Sequence, residues 1–129
     1  MNVRNRERGA AAVEFALVVP LLLVLVLGIT EFGRAYHFQT TLSGAAREGV
    51  RAAALDNTGA SVAAAQSKAK SAAPSLDLTN GQIVVSPSAA SCTSGAQVTV
   101  TINYTMPLLT SFFGPSIDLT GEGVMLCNG

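Results

Sequence analysis

The chain has 129 residues, 8 basic and 8 acidic, so its formal net charge is zero and charged residues make up only 12% of it. So sparse and balanced a charge set provides no positive field for nucleic acid, and Arg34, Arg47 and Arg51 are the only basic residues that share a helical stripe. One histidine and two cysteines are too few for a metal site, and neither a Gly-x-Ser-x-Gly elbow nor a phosphate loop is present, so neither an enzyme, a cofactor nor a small-molecule substrate is expected.

The first nine residues carry Arg4, Arg6 and Arg8 against one acid, Glu7. Residues 10–29 follow as an apolar run which, at 1.5 Å per residue, makes a helix of about 30 Å, the thickness of a hydrocarbon core. The excess of arginine keeps the first nine residues cytoplasmic and puts everything after Ile29 on the far side of the membrane. Pro20 supplies no amide hydrogen to the carbonyl of Ala16, which predicts a mild kink of a kind that membrane helices tolerate. Glu14 is the one charged residue of the run. A charge near the bilayer interior costs about 2.5 kcal/mol or more, so Glu14 calls for a partner, an interfacial position or a function. The hydrophobic run alone also fits a cleavable secretory signal or an uncleaved signal anchor. Against the first, Thr30-Glu31-Phe32-Gly33-Arg34 offers no good A-x-A site, and cleavage there would discard Glu14. The span by itself does not separate the second.

Residues 30–55 contain no proline, and Phe32, Phe38, Leu42, Ala45, Ala46, Gly49, Val50 and Ala53 form much of an apolar stripe at helical spacing. The span is therefore expected to continue into a helical stem. Ala45, Gly49 and Ala53 recur every fourth position as a small-residue groove, expected to be filled by the chain's own sheet or second helix. Glu31 with Arg34, and Glu48 with Arg51, predict solvated pairs worth a few tenths of a kcal/mol. His37, between Tyr36 and Phe38, is expected to be a packing or surface residue.

Asp56-Asn57-Thr58-Gly59 ends the stem with turn formers, and residues 61–73 predict an alanine-rich second helix closed by Pro74, with Lys68 and Lys70 near its carboxyl end. Alanine anchors weakly, so this helix is expected to fold back on the stem. From Gly81 the period becomes two. Residues 97–105 alternate without a break, with Val98, Val100, Ile102 and Tyr104 on one face. Residues 83–86 predict a second strand and residues 119–127 one or two more, with Gly121 and Gly123 allowing a bulge or turn. Between them, residues 107–114 hold Leu108, Leu109, Phe112 and Phe113, the phenylalanines expected in the core. Cys92 and Cys127 are expected to pair, closing a loop of about 36 residues worth roughly 4 kcal/mol. The fold class is α+β: a long N-terminal transmembrane helix continuing into an extracytoplasmic stem, a second Ala-rich helix, and a small antiparallel β-sheet with one disulfide.

Three blocks carry a family resemblance. Gly9 is followed by Ala10-Ala11-Ala12-Val13-Glu14-Phe15 and a long apolar helix; then come Gly28-Ile29-Thr30-Glu31-Phe32-Gly33-Arg34 and Ala45-Ala46-Arg47-Glu48-Gly49-Val50-Arg51-Ala52-Ala53. The first resembles the processing site of type IV prepilins, and the three together, over roughly the first 55 residues, resemble the TadE-like pseudopilins of the Flp, or tight adherence (Tad), pilus. The resemblance implies cleavage between Gly9 and Ala10 by a membrane-embedded prepilin peptidase, with Glu14 and Phe15 part of the processing and assembly motif. Loss of the first nine residues would leave 5 basic against 7 acidic residues, a formal charge of −2 before the new terminus is counted. The new α-amine at Ala10, with an ordinary pKa of about 8, lies four residues from Glu14 on the same helix face. Within one subunit or between neighbours it offers the acid a cation.

The segments implied are a cytoplasmic leader peptide (1–9), a transmembrane helix (10–29), an extracytoplasmic stem (30–55) and a small α+β periplasmic domain (56–129). The expected partners are the membrane, the prepilin peptidase, other pilins or pseudopilins and the Tad secretion machinery. The expected location is the bacterial cytoplasmic membrane or the pilus itself. An exported binding module on a signal anchor or signal peptide is the alternative.

Overall fold

The computed structural model describes residues 3–88 and 93–127, the side chain of Phe112 excepted. Its elements are helix α1 (Val3–Leu55), helix α2 (Ser61–Ala72) and strands β1 (Ile83–Ser86), β2 (Gln97–Pro107) and β3 (Ser116–Leu126), with single 3-10 turns at Pro74–Leu76, Asn80–Gln82 and Ser111–Phe113. The chain divides into two compact units, Met1–Arg34 and Ala35–Gly129.

In the first unit the described residues are helical throughout, and nearly all of their side chains are exposed. Helical geometry satisfies the backbone from within, which is what lets an apolar segment exist without packed neighbours from its own chain. The Thr30 hydroxyl follows the same logic, donating to the Val26 carbonyl one turn back at 2.9 Å.

The second unit holds the core. Leu42, Ala45, Ala46, Val50, Ala53 and Ala54 line one side of α1 and are buried, whereas Arg47, Glu48 and Arg51 between them are exposed. That division is the 3.6-residue period of an amphipathic helix. Asp56 closes the turn after α1, accepting hydrogen bonds from the Thr58 hydroxyl at 2.8 Å and the Ala60 amide at 2.9 Å. The chain reverses there, and the Ser61 hydroxyl ties the start of α2 to the Ala53 carbonyl at 3.2 Å. Ala65 and Ala69 of α2 fill the small-residue groove, as expected: a β-carbon at Gly49 would stand 3.0 Å from the Ala65 carbonyl oxygen and 3.3 Å from Ala69 Cβ. Val100 of β2 closes the groove from the sheet side at 3.5 Å.

The sheet is antiparallel in the order β1-β2-β3. Alternation on β2 buries Val98, Val100, Ile102 and Met106, joined by Ile83 and Val85 of β1, and sends Thr99, Thr101, Asn103 and Thr105 to the other face. The expected strands at residues 83–86 and 97–105 are present, the second two residues longer.

Three expectations change. Residues 119–126 belong to one strand, the lower of the two expected counts, but without a bulge or turn: β3 runs 11 residues in unbroken register from Ser116 opposite Pro107 to Leu126 opposite Gln97. Gly121 and Gly123 are there because α1 lies against them. A β-carbon at Gly121 would fall 2.5 Å from the Leu42 carbonyl carbon, and one at Gly123 2.7 Å from the Ala46 carbonyl oxygen. Phe113 stands 53% exposed instead of entering the core, because its 3-10 turn closes the β2–β3 hairpin beyond the last buried residue of β2. Thirdly, Glu31 is not solvated. It is 4% exposed and accepts from Arg34 Nη1 at 3.4 Å, whereas Glu48 and Arg51 are exposed and form no ion pair among the described residues. The expected Cys92–Cys127 bridge falls on Cys92, which lies outside the described residues.

Candidate assembly and processing segment

Every residue expected to mark processing and assembly lies on α1 in the first unit. Gly9, Ala10, Glu14, Phe15 and Pro20 are all helical and all exposed. A β-carbon at Gly9 would meet nothing within 4 Å, so no packing within the chain demands glycine there. A glycine inside a helix costs about 1 kcal/mol relative to alanine. Its presence at position 9 is therefore better explained by something outside the chain.

Glu14 has no ion-pair or hydrogen-bond partner among the described residues. It sits one turn after Ala10, the i, i+4 relation in which two side-chain positions of a helix lie on the same face. Phe15 beside it is 72% exposed, and Leu17, Leu21, Leu22, Leu23, Leu25 and Ile29 continue an apolar surface that no other part of the chain covers. Helices that are apolar on all sides are stable in lipid or among other helices, not in water. By length and composition α1 holds a segment long and apolar enough to cross a membrane, near the N-terminus. Pro20 lies inside it, within the apolar run.

The buried acid Glu31 is the residue that sequence reasoning undervalued. Its spacing to Arg34 was visible, but spacing reports only the pair and not the burial of one member. The signal available was its place in the block from Gly28 to Arg34, directly after the apolar run. Among the described residues no group of histidine, cysteine, aspartate and glutamate is arranged to hold a metal ion.

A family model described as TadE-like protein matches residues 9–51, which takes in the apolar run, the Glu31–Arg34 pair and Ala45 and Gly49 of the small-residue groove. No curated protein and no solved structure matches the chain. The matched segment begins at Gly9 and ends within the part of α1 that packs on the sheet, so the likeness covers both the anchor and the stem. Residues 9–51 thus match the TadE-like family, and that match supports a pilin-like protein associated with the Tad (Flp) pilus.

Proposed function

We propose that the chain is made as a precursor, cut between Gly9 and Ala10 by a prepilin peptidase on the cytoplasmic side, and used as a pseudopilin in assembling the Tad pilus. Residues 1–9 are the leader, 10–29 the span, 30–55 the stem, and 56–129 the periplasmic domain. The observation that carries the reading is Glu14: an acid without a partner among the described residues, on an exposed apolar helix, one turn from the residue whose amine the cut would free. The unneeded glycine at position 9 supports the same site.

In this reading Glu14 pairs with an Ala10 amine, its own or a neighbour's, as stems pack side by side. An unpaired subunit keeps an unmet charge at the membrane, and assembly removes that cost. Intact-mass measurement of the protein from membranes tests the cut. A mature chain beginning at Ala10, and the full precursor in cells lacking the peptidase, are expected; a start near Gly33 to Tyr36, or an uncut chain in normal cells, refutes the reading in favour of an exported module. The Glu14→Ala variant is expected to be processed and yet to lose co-purifying pilins and pilus formation. Cys92 and Cys127 are proposed to pair in the periplasm, to be checked by a mass difference of two alkylated thiols appearing only after reduction.

A further inference from the structure

The β2–β3 hairpin leaves an apolar tip uncovered. Residues 107–117 contain no charged side chain, while Leu109 is 62%, Phe113 53% and Ile117 37% exposed. Exposed apolar side chains on a loop whose nearest charge is Asp118 at its edge mark a candidate contact surface.

Its place within the second unit follows from contacts along α1. Gly49 meets Val100, Ala46 meets Gly123, Leu42 meets Gly121, and Gln39 Nε2 donates to the Thr120 carbonyl at 2.6 Å. Phe38 then packs edge-on against Tyr104, the partner of Leu119, with ring centroids 6.0 Å apart. Each step toward the start of α1 is a step toward the hairpin tip. The ladder runs three pairs further, through Thr105 opposite Asp118 and Met106 opposite Ile117 to Pro107 opposite Ser116, about 10 Å beyond Leu119 at 3.3 Å per strand residue. The tip therefore lies at the end of the unit where Ala35 begins, and Tyr36, 69% exposed, stands on α1 at the same end. That is the end at which the chain passes into its apolar segment.

We infer that the hairpin tip, with Leu109, Phe113 and Ile117, rests on the lipid surface from which α1 emerges, Tyr36 joining it as an interfacial aromatic. The inference rests on the reading of residues 10–29 as a membrane span. Tyrosine prefers the headgroup level, and an uncharged loop with short apolar side chains can enter it without burying a charge.

The chain has no tryptophan, so single substitutions give unique reporters. Full-length protein is reconstituted in phosphatidylcholine–phosphatidylglycerol vesicles with lipids brominated high on the acyl chain. Phe113→Trp and, as a second reporter, Leu109→Trp are expected to lose most of their fluorescence. Leu22→Trp, within the span, is expected to be quenched by deeply brominated lipid. Leu126→Trp, at the other end of β3 and exposed to a similar degree as Leu109, is expected to stay bright. Quenched Leu22→Trp with bright hairpin reporters would overturn the lipid contact and leave the span intact. If none is quenched, the span and the contact fall together; quenching of Leu126→Trp as strongly as Phe113→Trp would overturn the placement at one end.

Discussion

One helix serves two regions by opposite means. Over residues 15–29 α1 is apolar on all sides, and before residue 35 nearly all of its described residues are exposed; after it, the same helix buries one stripe under a sheet and a second helix. The second part is explained by its own protein, with every groove filled by a named residue. The first is explained only by what surrounds the protein. Within a single continuous helix, side-chain pattern alone separates a segment that needs lipid or partner helices from one that carries its own core.

Glycines give the sharpest way to break this comparison. Gly121→Leu drives a side chain into the backbone at Leu42 and is expected to destabilise the second unit by about 3 kcal/mol or more, read as loss of the β-sheet signal in a thermal melt in detergent. Gly9→Leu meets nothing and should leave that melt unchanged, while precursor accumulates on a mass spectrum if the proposed cut requires glycine.

Leucines come next. Leu42→Ala removes a fully buried side chain at the centre of the helix–sheet contact and should cost about 3 kcal/mol by the same melt. Leu22→Ala should change it by less than about 0.5 kcal/mol, since Leu22 touches no core. An equal effect of the two would mean that the first unit is packed by its own chain after all.

Acids give the smallest contrast. Glu31→Ala removes the buried acceptor of Arg34 and is expected to cost about 2 kcal/mol. Exposed Glu48→Ala should stay within about 0.5 kcal/mol, measured by denaturant unfolding of both variants side by side.

Local pattern made much of the architecture legible. Strict alternation over residues 97–105 is visible in any single window, and the strand it predicts is β2. The stem was legible because Leu42, Ala45, Ala46, Gly49, Val50 and Ala53 repeat at helical spacing and are all buried. Gly121 and Gly123 misled, since a glycine inside a strand signals either a local bulge or the approach of another backbone, and only the position of α1 chooses between these. Phe113 misled because hydrophobicity says that a ring prefers to leave water, not that its own domain will receive it. The segment proposed for processing is a sequence motif, from Gly9 to Phe15, and its geometry in the structure is simple: a helix, an open face and an acid with no partner among the described residues.

The seating of α1 on β3 has a mechanical consequence. Two strand residues advance about 6.6 Å and four helix residues about 6.0 Å, so the pairs Leu42 with Gly121 and Ala46 with Gly123 nearly coincide in pitch. Helix and strand engage like a rack of two teeth. On either side the partly buried side chains of Leu119 and Met125 stand on the same strand face and bracket the bare stretch. Tension applied along the stem would have to ride the helix backbone over one of those side chains before the sheet could slip, so a pull on the anchor arrives in the domain as shear spread across the whole hairpin.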